Sequence, residues 1–332
     1  MRIGEYTAAE TMFLKAISKD ENFADPKLDL ATLYLMTGSN EEAKKLMLDV
    51  ASTYPSYDSR VHFSLGYVYQ IENDYLEAKK HFQNFLKYTD PRNEMVALAQ
   101  VAVQSCDFAV EAIKNPVPFE PINLGALINS ENDEYFPVLT ADESLLMFTR
   151  ALPTEANNPM GFNEDFFFSK NQDGEWTQAY NPGRPINTNS NEGAPALSPD
   201  GKYIIFTACD VDGSLNYGPG RKGLGSCDLF VSQRVGDRWT SPQNMGRTIN
   251  SPAWETQPSF ASDGKTLYFI RGKSRGGSKQ ADIFMSELTE NGWSKAERLP
   301  GNINTSQSEE SVFIHPDNQT LYFSSNGHIG MG

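Results

Sequence analysis

Residues 249–269 read INSPAWETQPSFASDGKTLYF, and the spacing inside this stretch recurs three more times along the chain. Asn250 follows an isoleucine and precedes a serine; Glu255 stands five residues on, Asp263 eight beyond that, and Phe269 six further. The same steps lead from Asn129 to Glu134, Asp142 and Phe148, from Asn187 to Glu192, Asp200 and Phe206, and from Asn304 to Glu309, Asp317 and Phe323. Three of the four units continue to an Asp that heads an apolar strand: Asp165 in DFFFS, Asp228 in DLFVS and Asp282 in DIFMS. Eleven residues later come Trp176, Trp239 and Trp293, and eleven after each Trp comes the next Asn. Only the interval from the Phe to the Asp changes, at 17, 22 and 13 residues. A repeat that confines its length changes to one loop is a repeated structural unit, and that periodicity outranks local propensity.

Each unit predicts a four-stranded antiparallel sheet. A short apolar strand (PALS, PSFA, VFIH) runs into a tight turn and a second strand (YIIF, TLYF, TLYF). The turns SPDGK, ASDGK and HPDNQ carry residues that tolerate positive φ. The first unit has Glu143 where the glycine should be, which predicts a different turn type there. The Asp-headed strand follows the variable loop, and a fourth strand opens at the Trp. Four-stranded units of this length, none able to bury its apolar face alone, predict blades of a β-propeller.

The APALSPDGKYIIFTA and QPSFASDGKTLYFI segments, followed by CDLFVS and ADIFMS, resemble the PD40 (WD40-like) propeller repeat of TolB-type proteins. The combination of INS or INT, a Glu five residues on, the Asp-Gly turn and the Asp-headed strand is similar to the propellers of OmpA-family envelope proteins of Bacteroidota. The resemblance covers residues 118–332. It implies a periplasmic, outer-membrane-associated protein with a C-terminal OmpA-like domain that binds peptidoglycan. It also implies envelope proteins as partners; an accessory component of type IX secretion and gliding machinery is one such protein.

The N-terminal third repeats at another period. Ala9, Ala43 and Ala78 are 34 and 35 residues apart, and Phe13, Met47 and Phe82 follow four residues after each. Leu30 and Tyr34, then Leu65, Gly66 and Tyr69, occupy matching places on the preceding helices, while Pro55 and Pro91 close their units. This resembles the tetratricopeptide repeat, in which small residues let paired helices approach and large ones fill the facing gaps. The first unit starts at its second helix, and the apolar stretch MVALAQVAVQ is expected to cap the array. With NPVPFEP as linker, the fold class is α + β multidomain: a helical solenoid over residues 1–115 and a partial propeller of four-stranded blades over residues 116–332, cut short in its fourth repeat. The fourth unit stops inside its variable loop, which predicts a fragment of a longer protein, and FEPINLGALINS resembles the outer strand that precedes each Asn.

Composition limits the function. The net charge is −15 and both parts of the chain are acidic, so there is no basic stripe for nucleic acid, and anionic membranes repel the chain. No 18-residue apolar run and no signal-peptide core stand out, so the chain itself is not expected to insert into a membrane. His62, His81, His315 and His328 lack metal-ligand spacing, and no P-loop or nucleophile elbow occurs, so no metal or other cofactor is expected. Asp210, Asp212 and Gly213 echo half of a calcium loop without its downstream Glu.

Several residues are candidates for a role. Glu134, Glu192, Glu255 and Glu309 stand at the entrance of the innermost strands, where they could accept backbone N–H groups or form an acidic channel mouth that binds a partner. The three repeated Asp are expected to hold turn amides, and the three repeated Trp to pack between blades. Pairing Phe206 with Phe230 puts Cys209 opposite Cys227, within disulfide reach, while Cys106 stays free. The chain is therefore read as a non-enzymatic interaction scaffold. The alternative is a propeller that binds or hydrolyses a small glycan or peptide.

Overall fold

The computed structural model describes residues 3–154, 161–210, 213–215, 217–275 and 278–331. It forms two units, Met1–Phe119 with His328–Gly332, and Glu120–Gly327.

In the first unit, small residues at the repeat seams let helices pair. The helices are α1 (Ile3–Lys19), α2 (Ala24–Met36), α3 (Asn40–Thr53), α4 (Ser59–Ile71), α5 (Tyr75–Tyr88) and α6 (Val96–Lys114). Ala43 packs with Ala31, Met47, Leu65 and Val68 in one core, and Ala78 packs with Tyr75, Phe82, Cys106 and Ala109 in another. A Cβ at position 66 would stand 2.7 Å from the Phe82 ring, so glycine is what lets α4 approach α5. Gly38 and Asn73, 35 residues apart, both take positive φ just past a helix end, which turns the chain into the next helix. The Asp58 and Asp74 side chains accept the N–H groups of Arg60 and Glu77 and cap α4 and α5. Contrary to the expectation of no spanning run, α6 is long and apolar enough by composition to cross a bilayer. It nonetheless places Cys106 and Ala109 in the core beside Ala78 and Phe82.

The second unit is built of blades. The first contains β1 (Glu134–Leu139), β2 (Leu145–Pro153), β3 (Phe162–Gln172) and β4 (Glu175–Trp176). The second contains β5 (Asn191–Leu197), β6 (Tyr203–Cys209), β7 (Cys227–Val235), β8 (Arg238–Trp239) and β9 (Gln243–Asn244). The third contains β10 (Trp254–Phe260), β11 (Thr266–Arg275), β12 (Ser278–Thr289), β13 (Gly292–Trp293) and β14 (Glu297–Arg298), and β15 (Glu309–Ile314) pairs with β16 (Leu321–Ser325) in the fourth. Consecutive strands pair antiparallel, and the first strands of successive blades lie beside one another.

Three details differ from the sequence reading. The outer strand is broken: the Trp segment pairs with the end of the third strand, and a separate short segment just before the Asn pairs further along it, as β8 and β9 do on β7. The turn at Glu143 is not of another type, because Glu143 takes the same positive φ as Gly201, Gly264 and Asn318. Its N–H likewise bonds the carbonyl three residues back, at Thr140, while the Asp142 carboxylate accepts from Thr140 and Ser144. Finally, every first strand bulges two residues after its Glu. Phe136, Ala194, Gln257 and Ser311 all take φ between 50 and 55°, and the pairing register shifts there.

Candidate functional site

Each repeated Glu is the first or second residue of the first strand of its blade and bonds the loop that begins at the repeated Asn. The Ser or Thr after that Asn donates twice to the carboxylate. Thr188 donates from N–H at 2.8 Å and from Oγ1 at 2.6 Å to Glu192, and Ser251 does the same to Glu255 at 2.9 and 2.5 Å. Ser130 and Thr305 serve Glu134 and Glu309 identically.

A further donor arrives from across the sheet. Arg150 Nε lies 2.8 Å from Glu134, Arg271 Nε 2.6 Å from Glu255, and Ser325 Oγ 2.7 Å from Glu309, each donor 16 residues past its Glu. In the second blade that place holds Ala208, and Arg221 from the long loop donates to Glu192 at 2.5 Å instead. The same guanidinium groups donate to the carbonyls of Ile128, Ile249 and Ile186. They also lie over aromatic rings, Arg150 at 4.1 Å from Phe167 and Arg271 at 4.5 Å from Phe284.

Glu192, Glu255 and Glu309 are completely buried, and the Glu134 side chain is 16% exposed. Burial pushes the Glu192 carboxyl up, to about 7, against the pull of Arg221 and Thr188, and pushes Glu255 up as well. The acceptor capacity of these carboxylates is thus used within their own blades. The arginines were missed in the sequence; the signal was the offset of 16 in the first and third units, obscured by Ala208 and Ser325 in the others.

The repeated Asn and Asp form a second device. The Asn187 side chain accepts the Phe166 N–H and donates to the Phe166 carbonyl, both at 2.9 Å. Asn250 grips Leu229 in the same way, and Asn304 grips Ile283. Each gripped residue directly follows a repeated Asp. Among the described residues, the turn amides of Leu224 and Gly225 bond Asp228. All three also meet the outer segment: Asn181 donates to Asp165 at 2.8 Å, Asn244 to Asp228 at 2.6 Å, and Arg298 to Asp282 at 2.6 Å. Trp239 and Trp293 pack on core clusters drawn from two successive blades, and Trp176 packs on Ile128, Leu146 and Phe148.

Cys209 and Cys227 form a disulfide across β6 and β7, two strands that also pair Phe206 with Phe230. Cys106 is a free, buried thiol, and burial raises its pKa to about 11. Asp212 of the half calcium loop lies outside the described residues. Among the described residues no three His, Cys, Asp or Glu gather as metal ligands. The helical unit holds one buried titratable pair, His62 and His81, with Nδ1 atoms 3.1 Å apart.

None of the curated proteins matches the chain. Among solved structures, it is similar to Kuenenia stuttgartiensis hydrazine synthase at 12% identity, over 56% of this chain and 60% of that one, with a TM-score of 0.32. It is similar to Trypanosoma rangeli sialidase, in complex with the inhibitor DANA, at 14% identity, over 58% of this chain and 34% of that one, with a TM-score of 0.35. A prolyl endopeptidase aligns at 12% identity over 77% of this chain and 31% of its own length, with a TM-score of 0.32. The alignments thus span less than two thirds of each of these known chains, and none of them extends an activity to this one. Residues 3–65, covering α1 to α3 and the start of α4, match the tetratricopeptide repeat.

Proposed function

We propose that the chain is a non-catalytic protein–protein interaction scaffold of the bacterial cell envelope, periplasmic and outer-membrane-associated, in an assembly of the type IX secretion kind. The observation that carries the reading is the tetratricopeptide match over residues 3–65, since such repeats generally mediate protein–protein contacts. Tyr67 and Ile71, one turn apart on α4, are 59% and 55% exposed and offer apolar surface to a partner. In the β unit, the repeated carboxylates are engaged in holding loops and strands, which favours scaffolding over acid/base chemistry. The Cys209–Cys227 disulfide supports an oxidising compartment. Peptidoglycan contact through a further OmpA-like domain belongs to the same proposal.

The test is affinity capture of the tagged protein from a cross-linked envelope fraction, alongside a variant lacking residues 1–115. A defined set of envelope proteins that depends on residues 1–115 is expected. Recovery of the protein from the cytoplasmic fraction, with its thiols reduced and no envelope partner, would overturn the reading.

A further inference from the structure

The second blade differs from its neighbours at two adjacent rungs of one strand pair. On the rung that sets Arg150 opposite Asp165 in the first blade and Arg271 opposite Asp282 in the third, the second blade sets Ala208 opposite Asp228. One rung nearer the loop, where the others carry Ala151 opposite Glu164 and Gly272 opposite Ala281, it carries the disulfide of Cys209 and Cys227. The strand without an arginine for its Glu is therefore the one whose loop a disulfide closes, and that loop supplies Arg221.

Arg221 is the buried end of this loop. Its side chain is 2% exposed beside a fully buried Glu192, and the guanidinium also donates to the Pro185 and Ile186 carbonyls. Those two residues lead straight into Asn187, which grips Phe166 of the first blade, and Thr188, which donates to Glu192. Arg221 thus secures the joint between the first two blades. Tyr217 is the loop's second anchor, completely buried with its ring 5.6 Å from that of Phe230. A Cβ at Gly223 would stand 1.7 Å from the Tyr217 ring, so only glycine lets the chain return past it. Pro219, Gly220 and Lys222 are exposed, and both Cys209 and Cys227 reach the surface in part.

We propose that the Cys209–Cys227 disulfide is a redox switch on the joint between the first two blades. Oxidised, it pins the last rung before the loop and keeps Arg221 seated on Glu192, Pro185 and Ile186. Seating needs that help, because a buried ion pair gains little beyond the desolvation of its charges, and ordering Gly218, Gly220, Gly223 and Gly225 costs chain entropy. A dithiol opens the switch by exchange. Its thiolate attacks one sulfur, and its second thiol then displaces the mixed disulfide. Two electrons and two protons pass to Cys209 and Cys227, which become thiols, while the reductant becomes a disulfide. The freed rung frays, Arg221 leaves with the loop, and the chain at residues 183–188 loses its fastening. In the first and third blades the arginine belongs to the strand and needs no staple. The inference goes beyond the scaffold reading and stands without it.

The test compares amide hydrogen exchange of the oxidised 332-residue chain with that of the same chain reduced by dithiothreitol, read by peptide mass spectrometry. On reduction, exchange over residues 217–226 and over residues 183–188 should quicken about tenfold or more, while β11 and β12 keep their rates. Cys209→Ser with Cys227→Ser should reproduce the reduced pattern without any reductant. Ala208→Arg with Arg221→Gln returns the arginine to the strand, as in the first and third blades, so residues 183–188 should then exchange at one rate in both redox states. Unchanged exchange at residues 217–226 on reduction, quickening there with residues 183–188 left slow, or equal quickening in every blade would overturn the proposal. The wild-type comparison decides by itself if either variant fails to fold.

Discussion

Glu255 shows what a repeated charge does when it is enclosed. It receives two donors from Ser251 and one from Arg271, and no part of it reaches solvent. Removing one member of such a pair strands the other without its counter-charge, which costs more than the pair contributes as a unit. Glu255→Gln should therefore destabilise the β unit by about 2–4 kcal/mol, and Glu255→Gln with Arg271→Met by less than the sum of the single changes. Denaturant unfolding followed by tryptophan fluorescence reads this directly, because Trp176, Trp239, Trp254 and Trp293 all lie in that unit. In the helical unit the parallel case is His62 and His81. The His62 Nε2 stands 2.9 Å from the Pro55 carbonyl, which can only accept, so that nitrogen carries the proton. His62 Nδ1 is then the acceptor of a proton held by His81 Nδ1, and both rings are neutral, stacked on Tyr88 and Tyr69. Burial, then the neighbouring His62, lowers the His81 pKa to about 4, with Glu77 opposing and Lys80 assisting. The unfolded chain binds this proton near pH 6.5, before the folded one does, so stability is lost as pH falls from about 6.5 toward 4. We expect the helical signal at 222 nm to lose about 1–3 kcal/mol of stability across that window. His81→Phe should flatten the dependence, and an unchanged pH profile in that variant would remove His81 as its source.

The working element of the β unit is a three-stranded core with a segmented fourth strand, joined to the next blade by side chains that imitate main chain. A carboxamide carries a donor and an acceptor side by side, so one Asn completes the hydrogen bonding of a buried strand residue where an outer strand would otherwise be needed. Asn250→Ala leaves the Leu229 N–H unpaired in the interior and its carbonyl with the Met245 N–H alone, at an expected cost of about 1–3 kcal/mol by unfolding, with Asn129→Ala close to neutral as its control. The bulge after each Glu links blades in the same manner. Positive φ at Ala194 and Gln257 turns their N–H groups toward Thr149 and Thr207 of the preceding blade. Such conformations cost about 1–3 kcal/mol each in non-glycine residues, so their recurrence at one place in four blades marks a built junction.

Across the whole molecule the excess of acidic residues is spread over both units, and the net charge of −15 opposes polyanionic partners by long-range repulsion. The chain should show no saturable binding to duplex DNA or heparin at about 50 mM salt, where electrostatic attraction is strongest for basic proteins. Retention on heparin under those conditions would overturn this expectation.

The sequence by itself determined the two periods, and with them the helical array and the succession of blades. Unchanging spacings such as Asn187 to Glu192 and Asp200 to Phe206 exist because each blade is the same short-range object. Gly66 and Ala78 were legible for the same reason, as seams between neighbouring helices. What only the tertiary structure decided is where each repeated side chain finds its partner. Arg150 and Arg271 lie 16 residues from their Glu, and Arg221 comes to Glu192 out of a loop of variable length. The positive φ of Ala194 and Gln257 goes with bonds to Thr149 and Thr207 of the preceding blade, at residues with no preference for it. Periodicity records what is local and repeated, whereas pairing across strands and blades depends on distances that close only when the chain has folded.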